Sequence, residues 1–234
     1  MLYKNNMENI QKYFKIVDPQ GHHGMVYHNG YNEDPLPFNP SGDCEPGGIY
    51  FASRDIFSFL NYGTELYEVE PIGEIYKNPG TIKKYKAHAL NMKYVGKVDD
   101  INTFKYLVDN GANIHADEDC ALRLYAENGQ IEVVKYLIEQ GADIHTYNDY
   151  ALRYASKYGY LDVVKYLVEN GANIHADDDF ALRWSAEKGH LEVLKYLIEQ
   201  GADIHALDDS ALRWSAANGH LEVVKYLKSL NKKN

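Results

Sequence analysis

From about residue 100 onward, apolar positions recur in short helical stripes. In LEVLKYLIEQ (191–200), Val193, Leu194, Leu197 and Ile198 share one face of a helix. The same stripe returns along the chain. Val108, Ile138, Val168 and Ile198 hold equivalent places, and the next place is taken by Lys228. Between the stripes runs a second, shorter apolar segment that contains A-L-R at Ala121, Ala151, Ala181 and Ala211. The pattern predicts two helices per unit, with a charged residue turned to solvent in the last one.

The unit is 30 residues long. Gly111, Gly141, Gly171 and Gly201 each open the phrase G-A-[ND]-I-H, and Gly129, Gly159, Gly189 and Gly219 follow the first helix. An aspartate precedes that helix in every unit: Asp119, Asp149, Asp179 and Asp209. Aspartate there is expected to cap the helix N-terminus through its carboxylate. The glycines suit helix ends that need a left-handed residue. No unit of this size buries its own apolar faces, so the units must stack and share a core. Residues 90–110 align with 180–200 through K-Y-L and are expected to form a diverged first pair. Helix pairs are thus placed at about 90–110, 120–140, 150–170, 180–200 and 210–230.

These phrases, with GHLEVVKYL at 219–227, resemble the ankyrin repeat family over about residues 90–230. The chain looks most like the ankyrin proteins encoded by giant DNA viruses of amoebae. The resemblance implies a solenoid of stacked helix pairs whose concave face binds another protein. It is lined by the connections and by the ends of the first helices. Two departures stand out. The family unit has ~33 residues, so the protruding hairpin should be blunted here. The family's T-P-L-H is replaced by x-A-L-R, which puts Arg123, Arg153, Arg183 and Arg213 at the histidine's place.

One unit is rich in tyrosine. TYNDYALRYASKYGY (146–160) carries Tyr147, Tyr150, Tyr154, Tyr158 and Tyr160. Tyr154 aligns with Leu124, Trp184 and Trp214, which marks a packing position. The positions of Tyr147 (Asp117, Asp177 and Leu207 in other units) and Tyr158 (Asn128, Lys188 and Asn218) tolerate charge and polarity, so both are expected on the binding face, with Tyr150 and Tyr160 flanking them. Lys188, Asp177 and Asp178 belong to the same candidate surface. Tyrosine suits it through a large rigid contact area with a polar tip. The recurring acids Asp117, Glu118, Asp177, Asp178, Asp208 and Asp209 would steer a basic partner, or simply form solvated turns. The four arginines are expected to hold a connection aspartate or a carbonyl of a neighbouring unit. His115, His145, His175 and His205 are expected to bond the backbone at the junctions.

Residues 1–88 share none of this pattern and read as a small α+β domain ahead of a repeat domain at 89–234. MVYHNGY and GGIYFAS suggest strands, RDIFSFLNYG a helix with Ile56, Phe57 and Leu60 on one face, and ELYEVEPIG a half-buried strand. LYKNNMENIQKYFKIVD is expected to begin with a short helix. GGIYFAS (47–53) also resembles the tyrosine-bearing strand of ADP-ribosyltransferases. That resemblance implies an alternative function, an effector enzyme whose target the repeats recruit. Tyr50 would stack on nicotinamide, His28 or His23 would hold the ribose, and Glu68 or Glu70 would stabilise the reacting sugar. The plainer reading is a turn followed by a core strand.

The totals narrow the classes. Apolar residues make up 45% of 234, so a packed core is expected. A formal charge of -10 speaks against a phosphate-neutralising nucleic-acid binder. No apolar run reads as a signal peptide or a spanning segment, and Cys44 and Cys120 read as free thiols. The expectation is a soluble intracellular interaction protein, outside the membrane and binding no nucleic acid, with no metal and no cofactor.

Overall fold

A computed structural model of the chain describes residues 11–21, 25–39, 48–79 and 83–230. Two compact units are present, Met1–Asp117 and Glu118–Asn234.

In the first unit the strands are β1 (Tyr13–Val17), β2 (Gly30–Glu33), β3 (Ile49–Ala52), β4 (Glu65–Lys77) and β5 (Lys84–Lys97). All pairings are antiparallel. β4 and β5 form a long hairpin with register shifts at Leu66/Tyr67 and Ile72/Ile75. Such bulges let long strands bend. β1 joins β3 to β4, and β3 also pairs with β5, so the pairings β5–β3–β1–β4–β5 close a ring. β2 adds to β5 through Asn32↔Leu90 and its neighbours.

Alternation along these strands sorts the side chains. Val17, Ile49, Phe51, Tyr67, Val69, Tyr85, Ala87, Leu90 and Met92 form one buried cluster. From β1 and β4, Phe14, Ile16 and Leu66 are also buried. So are Ile56, Phe57 and Leu60 of a 3-10 helix (Ile56–Tyr62) and Phe104 and Leu107 of α1 (Ile101–Asp109). Phe57 and Phe104 stack with centroids 4.6 Å apart.

Two expectations change in this unit. The helix pair at about 90–110 is replaced by the end of β5 followed by the single helix α1. LNMKYV supplies the alternation that pairs with β4, and that pairing outweighs the K-Y-L alignment, which holds only within α1. A boundary at 88/89 falls inside β5. Tyr13–Val17 is a strand, while the helix expected before it lies outside the described residues.

The second unit stacks helices in two rows. The first helices are α2 (Ala116–Glu127, which begins just before the unit), α4 (Thr146–Tyr158), α6 (Ala176–Lys188) and α8 (Ala206–Ala217). The second helices are α3 (Ile131–Glu139), α5 (Leu161–Glu169), α7 (Leu191–Glu199) and α9 (Leu221–Leu230). α4 packs on α6 and α6 on α8, while α3, α5, α7 and α9 pack in series. Val164, Leu167, Leu194 and Leu197 of the second helices are fully buried, as are Leu152, Ala155, Leu182 and Ala186 of the first.

Candidate functional site

Each first helix is entered through a short left-handed turn. Residues 117–119, 147–149, 177–179 and 207–209 all have φ between 50° and 57°. A left-handed residue costs about 1–2 kcal/mol, and Tyr147 and Leu207 gain nothing from the local bonding that helps Asp and Asn. Two sets of bonds hold the turn. Arg153 donates from Nε to the Asn148 carbonyl at 2.8 Å and from Nη2 to the Tyr147 carbonyl at 2.7 Å. Arg183 does the same to Asp178 and Asp177, and Arg213 to Asp208 and Leu207. The arginines therefore clamp carbonyls of their own unit, not those of a neighbour. Arg153 also reaches a neighbouring acid, with Nη1 3.1 Å from Asp177 Oδ2.

The aspartate that ends the turn also departs from expectation. Asp149 and Asp179 are buried, but their carboxylates leave their own helix N-termini alone. Asp149 Oδ1 accepts from the Asn173 backbone N–H at 2.8 Å, and Asp179 Oδ1 from that of Asp203 at 2.9 Å. Each bond crosses to the next unit. The left-handed turn aims the carboxylate there and away from the helix it precedes. The same oxygen lies 3.0 Å from His145 Nδ1 or His175 Nδ1. A carboxylate only accepts, so those ring nitrogens carry the proton. The side chains of His145, His175 and His205 thus bond aspartates, not backbone.

With the turns clamped, the first helices present a strip of rings and cations. Tyr150 stacks on Tyr154 at 3.9 Å, Tyr154 on Phe180 at 6.0 Å, and Phe180 on Trp184 at 4.9 Å. Arg123 lies 4.3 Å from the Tyr147 ring centre, Arg153 4.9 Å from Phe180, and Arg183 5.4 Å from Trp214. Lys157 sits among three rings, 4.4 Å from Trp184, 4.9 Å from Tyr154 and 5.3 Å from Tyr158. Each such contact contributes roughly 0.5–2 kcal/mol, depending on desolvation. Flat rings and locked guanidinium planes give a surface with little rotamer entropy left to lose on binding.

The candidate tyrosines divide by geometry. Tyr147 and Tyr158 are 51% and 44% exposed, and their rings lie on the strip. Tyr150 is half-buried. Its hydroxyl donates to Glu127 at 2.9 Å, and burial, with that carboxylate, pushes its pKa well up. Tyr160 lies on the glycine of the preceding unit, since a Cβ on Gly129 would meet its ring at 2.5 Å. His190 and His220 cover Gly159 and Gly189 in the same way. His190 Nε2 also donates to the Lys157 carbonyl at 3.0 Å, and its burial lowers its pKa. Lys188 pairs with Glu187 at 3.1 Å, and Asp178 is exposed. Sequence reasoning overlooked Phe180, Trp184, Trp214, Arg123 and Lys157 as members of this surface. The signal was present: positions 150/180 and 154/184/214 lie four apart on one helix face.

The alternative constellation in the first unit is dispersed. Tyr50 pairs across the sheet with Lys86, and Glu70 with Asn91. Positions 86 and 91 differ by an odd number, so they face opposite sides of β5, roughly 16 Å apart along it. The Tyr50 ring is covered by the ammonium groups of Lys84 and Lys86 at 4.6 and 5.1 Å. His28 is exposed before β2, with Nδ1 2.9 Å from the Asn29 carbonyl. Glu68 is tied to Lys12 and Tyr106. His23 and Cys44 lie outside the described residues. Among the described residues, no helix is long and apolar enough to cross a membrane.

Known proteins match the repeated part. A family model for ankyrin repeats (3 copies) matches residues 92–178, and one for ankyrin repeats (many copies) matches 182–227. The chain is 34% identical over 135 residues to an uncharacterized protein of Acanthamoeba polyphaga mimivirus, covering 53% of this chain and 95% of that protein. Two putative ankyrin repeat proteins of the same virus are 34% and 35% identical, over 54% and 55% of this chain. The matched parts are 47% and 41% of their own lengths, so this chain spans less than half of either.

Proposed function

The chain belongs to the ankyrin repeat family, and on that premise we propose that its second unit recognises a protein of the virus-infected host through the face of its first helices. The observation that carries this reading is the strip from Tyr147 to Trp214, where rings stack on one another and on clamped arginines. Tyr147 and Tyr158 are its exposed contacts, flanked by the half-buried Tyr150 and by Tyr160, which is 37% exposed. Asp177, Asp178 and Lys188 rim the strip. A buried aromatic anchor of this kind contributes ~2 kcal/mol or more at an interface, a factor of roughly 30 in affinity. The mechanism is recognition by a preformed surface, inside the cell where the relatives' virus replicates.

The test is capture from an Acanthamoeba lysate with three baits: the wild type, Tyr147→Ala with Tyr158→Ala, and Glu132→Ala with Lys165→Ala on the second helices. A protein kept by the first and third baits and lost by the second supports the strip. Retention by all three baits sinks it.

A further inference from the structure

The repeat carries its own template for what the strip binds. At Trp184 the cation over the ring comes from the preceding unit: Lys157 Nζ lies 4.4 Å from the ring centre. Thirty residues on, the ring is Trp214 and the residue in the place of Lys157 is Glu187. The ring has been kept and the charge at that place in the sequence reversed, and the Glu187 carboxylate meets Lys188 of its own helix at 3.1 Å. The neighbours change with it. Lys188, which lies 5.6 Å from Trp184, is replaced by Asn218 next to Trp214. Among the described residues, Arg183 at 5.4 Å is the cation over Trp214. Its Nε and Nη2 are engaged by the carbonyls of Asp178 and Asp177. Trp214 is half-buried, with Ala217 and Asn218 exposed beside it.

Resting on the recognition reading above, we infer that the outer edge of Trp214, with Glu187, receives an arginine or lysine side chain of the partner, so that the bound segment is basic. A cation there stacks on the indole as Lys157 does on Trp184, and shares with the exposed Lys188 a carboxylate where the preceding unit offers an amine. The wider charge pattern agrees. Asp177, Asp178, Leu207 and Asp208 expose their side chains in the two turns that flank this site, and the chain carries a formal charge of -10. A basic segment is steered toward such a rim, while an acidic one meets Glu187 and the rim with like charge.

The probe is fluorescein-labelled hexa-arginine, with hexaglutamate of equal length as control, titrated by anisotropy into the full chain. Trp184 and Trp214 are the only tryptophans, so quenching of indole emission reports the site directly. The expected result is binding of hexa-arginine alone. Glu187→Lys should weaken it at least tenfold, and Trp214→Leu by a similar factor. Glu132→Lys, the same charge change on a second helix, should weaken it less than threefold. Glu187→Lys installs the residue that α4 already carries at this position, so it tests the site without threatening the fold. Equal losses from Glu187→Lys and Glu132→Lys would mean diffuse electrostatics and overturn the proposal, as would failure of hexa-arginine to bind. A captured partner lost with Tyr147→Ala and Tyr158→Ala, yet indifferent to Glu187→Lys and Trp214→Leu, overturns this inference and leaves the strip standing.

Discussion

Asp179→Ala should be far more damaging than Asp209→Ala, although the two residues occupy the same turn. Both sit at left-handed φ, 55° and 57°, and both lie against the histidine four residues back. Replacing either with alanine loses that histidine contact and adds the cost of a left-handed alanine, about 1–2 kcal/mol. These losses cancel in the comparison. Asp179 has a further partner, the Asp203 backbone N–H at 2.9 Å, and its side chain is 9% exposed against 46% for Asp209. A hydrogen bond to a charged acceptor contributes ~1.5–3 kcal/mol. Asp179→Ala should therefore cost about 2 kcal/mol more than Asp209→Ala, which is roughly 1 M in urea midpoint for a protein of this size. Stacked units need not unfold as one, so a local readout is needed as well. Exchange of the Asp203 amide proton should accelerate roughly 30-fold in Asp179→Ala, the factor that 2 kcal/mol corresponds to. Asp179→Asn, which keeps an acceptor oxygen and tolerates the left-handed turn, should recover much of the loss. Equal urea shifts for the two alanine variants, with unchanged Asp203 exchange, would refute the claim that this carboxylate joins one unit to the next.

Other outcomes follow from the same geometry. Gly159→Ala should destabilise more than Gly219→Ala: both glycines have left-handed φ, but only at Gly159 would the methyl meet a ring, that of His190, at 2.5 Å. Equal urea midpoints would refute that contact. Burial lowers the pKa of His190, against the pull of its bond to the Lys157 carbonyl. The unfolded chain then takes up a proton near pH 6.5 that the folded chain resists, so stability falls as pH drops through that value. His190→Tyr, the residue found at 160, should flatten that part of the stability–pH curve measured by urea unfolding. In the first unit, burial lowers the pKa of Lys15 to about 8, and its amine donates to the Tyr50 carbonyl at 2.9 Å. Stability should rise between pH 8 and about 10.4, where the unfolded chain keeps a proton that the folded chain sheds. Lys15→Met should remove that rise, as read from thermal midpoints across the range.

The tyrosines of residues 146–160 separate what the sequence makes legible from what it does not. Tyr147 and Tyr158 were legible as exposed because their alignment columns accept charge, and both are exposed. Tyr160 was not legible as a cover for Gly129, because the contact joins residues of successive units 31 positions apart. The arginine column was visible, but its target was not. Its carbonyl acceptors face it only once the chain takes three left-handed residues in a row, a conformation that composition scarcely announces for Tyr147 or Leu207. The stretch at 90–97 misled for a different reason. It aligns with helical units, but a bent hairpin partner in β4 took it as a strand.

The sequence alone determined the period, the two-helix unit, the apolar stripes and the need to stack, because local spacing sets helix faces and no unit of 30 residues closes its own core. The tertiary structure decided where the charged groups point. A carboxylate at the end of a turn can cap its own helix or bond the next unit, and the choice rests on backbone angles fixed only when the neighbour is in place. The ring of strands in the first unit was decided the same way, by pairing between segments far apart in the chain.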